Sequence, residues 1–149
     1  MSLKETLQED WKKALKSKQK KRANIISMLK SSILLVEKDK RRDLNDSEII
    51  DVLSKEVKQR KEALEDFKKG NRQDLIDETN FELEVLLSYL PQQLTENEIM
   101  EIINQAVNVT KANSIKNMKD VMNIVIPKIK GRADSKLVSQ KVKNILSKQ

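Results

Sequence analysis

The chain is short and strongly charged, with 149 residues, 36% charged side chains, only 3% aromatic ones and a net charge of +7. Cysteine and histidine are absent, which excludes disulfides and removes the most common metal ligand and general base. Two glycines and two prolines in the whole chain favour long helices, because a sheet would need many turns. We therefore predict an all-α, multihelical fold.

Two helices are predicted first along the chain. Ser2 and Glu5 form a capping-box pattern that begins the first helix. The second begins near Lys20 and ends in the charged run 38–43. Their apolar positions recur at helical spacing and are predicted to face inward. These positions are Leu3, Leu7, Trp11, Ala14, Leu15, Ile25, Ile26, Leu29, Ile33 and Val36.

A helical hairpin is predicted next. Asn45 and Glu48 cap the third helix, Gly70 is expected to end it, and Pro91 ends the fourth. Arg60 falls on the apolar stripe, which indicates a buried or half-buried ion pair or, alternatively, an exposed contact. The inward positions are Ile49, Leu53, Val57, Leu64, Phe67, Leu75, Thr79, Leu83, Leu86 and Leu90.

The segment 91–94 is the predicted boundary between two unlike helical subdomains, residues 1–92 and residues 93–149. They would hold about four and three helices.

Three helices are predicted after the boundary. Thr95 and Glu98 cap the first, Ser114 caps the second, Pro127 ends or kinks it, and Asp134 caps the last. The inward positions are Ile99, Ile102, Ile103, Ala106, Met118, Val121, Met122, Val125, Leu137, Val138, Val142, Ile145 and Leu146.

Charge is distributed unevenly along the chain. Residues 12–42 carry +10, residues 43–101 carry −9, and residues 111–149 carry +8. One interpretation is internal pairing between helices together with a solvated lysine-rich surface. The other is a polyanion partner, with nucleic acid the most plausible.

The segment Lys128–Arg132 concentrates positive charge just before a helix start, where backbone N–H groups can also bind phosphate. A solvated turn is the alternative interpretation. The predicted nucleic-acid-binding residues are Lys116, Lys119, Lys128, Lys130, Arg132 and Lys136.

No catalytic residue, metal ligand, cofactor site or small-molecule site is predicted. The chain lacks a glycine-rich phosphate loop, and its serines have no histidine partner. Trp11 is predicted to be a core residue and not a stacking platform. No apolar run approaches the length of a membrane span, and no signal-peptide core is evident. We therefore expect a cytoplasmic protein without a membrane partner.

Several short segments, in this order and spacing, carry a resemblance to a known family. They are Lys58–Glu62, Asn71–Leu75, Tyr89–Leu94, Val121–Met122, Lys130–Asp134 and Leu137–Val138. Over nearly its whole length the chain resembles a YqeY-like protein of the GatB/YqeY family.

The resemblance implies a multihelical fold of two unlike subdomains. It also implies that the part after residue 95 is similar to the tail of the B subunit of the tRNA-dependent Asp/Glu amidotransferase, which helps to hold the tRNA. The chain departs from the family pattern at Lys119, where members usually carry glycine. The lysine blocks close backbone approach but adds positive charge.

Three functions follow from these observations. The first is a non-catalytic module that binds tRNA or another structured RNA through the C-terminal subdomain. The second is an accessory protein that binds the amidotransferase or a synthetase through the acidic segment 43–101. The third, which the resemblance alone suggests, is a carbon–nitrogen ligase with glutamine as amide donor.

Overall fold

The computed structural model describes residues 1–148 and confirms the all-α prediction, since the described residues contain helices and no strand. The helices are α1 Leu3–Lys16, α2 Lys20–Lys40, α3 Asp46–Lys69, α4 Gln73–Leu87, α5 Glu96–Thr110, α6 Met118–Ile129 and α7 Ser135–Ser147. A short 3₁₀ turn, Ile115–Asn117, precedes α6.

The chain divides into two compact units, Met1–Pro91 and Gln92–Gln149. The first contains α1 to α4, and the second contains α5 to α7 and the 3₁₀ turn. Whether the two predicted subdomains, 1–92 and 93–149, fold as separate domains stays a prediction.

The N-terminal unit consists of two helical hairpins, α1–α2 and α3–α4, that share one apolar core. Leu7, Ile26, Leu29, Leu53 and Leu86 are fully buried within it. The prediction that Leu15 faces inward is wrong, because 51% of this residue is exposed. It lies about 100° around α1 from the buried Ala14 and therefore points to solvent.

Arg60 forms the predicted half-buried ion pair. Its Nε lies 2.9 Å from Glu82 Oε2 on α4, and its Nη1 contacts Glu56 one turn earlier on α3. The side chain is 12% exposed. Arg60 therefore fixes how the two helices of the second hairpin pack against each other.

The end of α3 differs from the prediction in its backbone. Gly70 is the C-cap, as expected, but its φ is −86°, and the next residue, Asn71, has the left-handed φ of 53°. The amides of Asn71 and Arg72 bond back to the carbonyls of Lys68 and Phe67 at 3.2 and 3.0 Å. Because this motif places its left-handed residue one position beyond the cap, Asn71 makes the turn.

The end of α4 also differs from the prediction. The helix stops at Leu87, ahead of the expected stop at Pro91. Ser88 is the C-cap, and its hydroxyl donates to the carbonyl of Val85.

The C-terminal unit is organised around α6, which packs against both α5 and α7. Its fully buried side chains are Ile103, Ala106, Val121, Val125, Ile129, Val138, Val142 and Leu146. The prediction for Leu137 is wrong, since 57% of it is exposed on the outer side of α7.

Two helix-boundary predictions in this unit need correction. Ser114 does not cap α6, because the 3₁₀ turn intervenes and the hydroxyl makes no capping bond. Pro127 does not end α6, which continues to Ile129, and the alternative outcome, a kink, stays a prediction. Proline lacks an N–H but can occupy the last turn of a helix at the cost of one backbone bond.

Candidate nucleic-acid interface

The structure places the six predicted RNA-binding residues in two groups. Lys128, Lys130, Arg132 and Lys136 lie where α6 ends and α7 begins, whereas Lys116 and Lys119 lie at the opposite end of α6. From Lys119 to Lys128 the helix advances about 14 Å and turns by about 180°. The first group is therefore the candidate interface, named here the α6–α7 lysine cluster and comprising Lys128, Lys130 and Lys136, with Arg132 inside the turn.

A buried isoleucine orients the first two lysines of the cluster. Ile129 is 1% exposed and anchors the end of α6 in the core. Its sequence neighbours, Lys128 and Lys130, are both exposed. Because adjacent residues on a helix point about 100° apart, burial of Ile129 directs Lys128 to the surface, and Lys130, the C-cap of α6, is exposed just beyond it.

Gly131 lets the chain reverse direction within the cluster. Its φ of 71° lies in the left-handed region that side chains disfavour. The amides of Arg132 and Ala133 then return to the carbonyl of Ile129 at 2.8 and 3.1 Å. Because this closed turn is short, α7 begins soon after Lys130, and Lys136 lies in its first turn.

Arg132 has a structural role that sequence reasoning missed. Its Nε donates to the carbonyl of Gln92 at 3.1 Å, and its own carbonyl accepts from Leu94 N at 2.9 Å. Gln93 Nε2 donates to the carbonyl of Gly131 at 2.8 Å. The segment 92–94 is thus clamped onto the α6–α7 turn.

The carboxylate of Glu98 lies close enough to Arg132 to interact with its charge. The backbone N–H and hydroxyl of Thr95 hold the pKa of Glu98 below its usual range, and the positive charge of Arg132 contributes further. Arg132 is only half-exposed. Its role as a phosphate ligand stays a prediction, and the three lysines carry the candidate interface.

One more exposed lysine lies farther along α7, in line with the cluster. Asp134 Oδ1 accepts from Lys136 N at 3.0 Å, which confirms the predicted cap. Lys143 is exposed and lies seven residues after Lys136, so both share one face of α7 about 10 Å apart. The i, i+7 spacing could have revealed Lys143, which the sequence analysis did not select.

The overall charge of the C-terminal unit suits an anionic partner. Residues 92–149 contain ten basic and five acidic side chains, a net charge of +5. Among residues 1–148, no cluster of three or more acidic side chains could hold a metal ion. None of the described helices is long and apolar enough to span a membrane.

The segments that carry the family resemblance include three tertiary contacts. Arg60 joins α3 to α4, and Arg132 clamps segment 92–94. Tyr89 donates its hydroxyl to Asp10 Oδ2 at 2.6 Å. Burial raises the pKa of Tyr89, and the adjacent Asp10 raises it further, so the phenol stays protonated as the donor. These residues identify a fold and do not, by themselves, identify a binding site.

Comparison with known proteins identifies relatives over nearly the whole chain. The family profile described as Yqey-like protein matches residues 4–146. A protein of Pyrenophora tritici-repentis named "Altered inheritance of mitochondria protein 41, mitochondrial" is 31% identical over 143 residues, covering 94% of this chain and 78% of the relative.

Proteins with the same name in two yeasts are also similar. The Lachancea thermotolerans protein is 33% identical, with 80% of this chain and 66% of the relative covered. The Kluyveromyces lactis protein is 34% identical, with 56% and 45% covered.

These relatives contradict the expectation of a cytoplasmic protein. All three relatives are named as mitochondrial proteins, and this finding overturns the cytoplasmic expectation. The expectation used composition and the lack of a signal-peptide core, and neither feature distinguishes the two compartments. The match over residues 4–146, together with the all-helical fold, shows that the chain belongs to the YqeY-like protein family.

Proposed function

We propose that the protein is a non-catalytic module that binds structured RNA, with tRNA the expected ligand, through the α6–α7 lysine cluster. The observation that carries this proposal is the outward placement of Lys128, Lys130 and Lys136 around a closed turn. Ammonium groups held in this way neutralise phosphates and release counterions, which is the main source of affinity in backbone recognition.

The kind of RNA contact follows from the side chains available. The cluster has no aromatic residue on which an unstacked base could stack. Contact is therefore with the phosphate backbone, and selectivity depends on the shape of a folded RNA. The resemblance of this part to the tail of the amidotransferase B subunit supports tRNA as the probe.

Filter binding of tRNA to a triple variant tests the proposal. Replacing Lys128, Lys130 and Lys136 with alanine removes three phosphate contacts and should weaken binding by on the order of 10- to 100-fold at moderate salt. Arg132 is left intact because it supports the clamp on segment 92–94.

The matched control replaces Lys55, Lys61 and Lys68, three exposed lysines of α3, and removes the same charge. Equal losses in both variants would show that net charge alone drives association. Unchanged binding in the α6–α7 variant, with its circular dichroism intact, would refute the proposal and favour a protein partner.

A further inference from the structure

A second basic surface lies in the N-terminal unit, at the turn between α1 and α2. The chain contains no acidic residue between Asp10 and Glu37. Six lysines of this stretch are exposed, and we name them the α1–α2 lysine patch: Lys12, Lys13, Lys16, Lys18, Lys20 and Lys21. The α1–α2 hairpin brings the end of one helix and the start of the next to the same end of the unit.

Three other cations of the same sequence block have acidic or polar partners. Lys40 and Arg42 pair with Glu48 at 3.4 and 2.7 Å. Lys30 contacts Gln8 and lies 4.4 Å from the centre of the Trp11 ring. Internal pairing therefore engages Lys40 and Arg42, and Glu37 and Asp39 lie among the cations at that end of the block, whereas the stretch around the α1–α2 turn contains no acidic residue.

A polar depression of about 340 Å³ lies within this patch. Lys13, Ser17, Gln19 and Arg22 contribute cationic and hydrogen-bonding groups to its lining. The one carboxylate in the lining, Asp10, accepts a hydrogen bond from Tyr89 at 2.6 Å, and Arg22 also interacts with Tyr89. The two cationic side chains of the lining, Lys13 and Arg22, outnumber this carboxylate, so the depression is suited to an anion.

The start of α2 carries uncompensated positive charge, which a bound anion would neutralise. The first turn of α2 contains no acidic residue and no side-chain cap, and Lys20, Lys21 and Arg22 occupy it. Positive charge is normally unfavourable at the positive end of a helix dipole. The basic first turn of α2 therefore adds to the lysine patch and the depression as an observation that favours an anion at this end of the unit.

We infer that the α1–α2 lysine patch is a second phosphate-binding surface, through which the N-terminal unit contacts the backbone of the RNA bound by the α6–α7 lysine cluster. This inference rests on the proposed function. Backbone phosphates are favoured over bases because Trp11, the one tryptophan, is half-buried beneath Lys30. Two surfaces on one RNA would raise affinity beyond what either supplies alone.

The test is the salt dependence of tRNA binding to the full chain. Replacing Lys13, Lys16 and Lys20 with alanine should lower the log–log salt slope by about two, since each phosphate contact contributes about 0.7 to 0.9. The arginine version of the same triple variant retains the charge and should retain the slope. Combining both alanine triple variants should lower the slope by the sum of the two changes.

Each outcome separates this inference from the proposed function. If the Lys13, Lys16 and Lys20 variant binds tRNA with an unchanged slope while the α6–α7 variant loses binding, the second surface does not exist and the proposed function stands. If neither variant changes the slope, both fail. If the α1–α2 variant loses binding only to phosphatidylserine-containing vesicles, the patch is a lipid surface and the inference is overturned.

Discussion

At the scale of single residues, the two glycines differ in whether their backbone conformation requires glycine. Gly131 has a φ of 71°, whereas Gly70 has a φ of −86° that any residue can adopt. A Cβ at Gly70 would meet Asp66 O at 3.6 Å, an ordinary contact. The sequence predicted Gly70 as a cap correctly but could not show that Asn71 takes the left-handed conformation.

Replacing each glycine with alanine should therefore have opposite effects on stability. We expect Gly131→Ala to lower the free energy of unfolding by about 1 to 2 kcal/mol, because a side chain strains this backbone. Gly70→Ala should be neutral or raise it by up to about 1 kcal/mol, since alanine restricts the unfolded chain. Urea denaturation measures both values, and equal destabilisation by the two changes would contradict this assignment.

At the scale of helices, four helix ends place a residue other than glycine in the left-handed conformation. Lys18, Arg41, Asn71 and Lys111 all have left-handed φ values between 53° and 60° at helix ends. Three of the four are basic, and positive charge at a helix C-terminus interacts favourably with the dipole. Glycine scarcity correctly indicated long helices, but it hid these turns because lysine carries no signal of a left-handed conformation.

Glu37 connects α1, α2 and the loop before α3. The residue is 8% exposed, its carboxylate lies 2.9 Å from Lys4 Nζ, and it accepts from Leu44 N at 2.9 Å. These partners, Lys4 first, hold the pKa of Glu37 below its usual range. Stability from this carboxylate is therefore present above its ordinary pKa near 4.5 and is lost as pH falls through the lower folded value.

We expect Glu37→Gln to lower the free energy of unfolding at neutral pH by about 1 to 3 kcal/mol, because the half-exposed Lys4 ammonium and the buried Leu44 amide lose a charged acceptor. The difference from the native chain should shrink below pH 4.5. Denaturation across pH measures it, with exposed Glu9→Gln as the control. A difference that stays constant down to the acid-unfolded state would contradict the assignment.

The sequence predicted local features, such as helix caps, better than features that depend on tertiary packing, such as burial. The capping boxes Asn45–Glu48 and Thr95–Glu98 form as expected, because each needs only residues three apart in one chain segment. Leu15 and Leu137 were assigned to the core and are exposed. Both lie at the edge of an apolar stripe, where the packing of neighbouring helices decides burial.

At the scale of the whole molecule, the sequence indicated the helical fold and the basic C-terminal region. It did not indicate that the six predicted RNA-binding residues fall into two groups at opposite ends of α6. Lys119 and Lys128 lie about two and a half turns apart on α6 and point to opposite faces, which follows only once the helix is known to continue past Pro127. The clamp of Arg132 on segment 92–94 joins residues about 40 positions apart, a separation that no periodic pattern can report.

The central claim is that the α6–α7 lysine cluster contacts RNA phosphates. Its most direct test is NMR mapping of the full chain, following backbone amide shifts during titration with tRNA. The largest shifts should fall on residues 128–136, and they should diminish when salt is raised because phosphate contacts release counterions. Shifts confined to the acidic helices α3 and α4, or the absence of shifts at 128–136 under saturating tRNA, would contradict the claim.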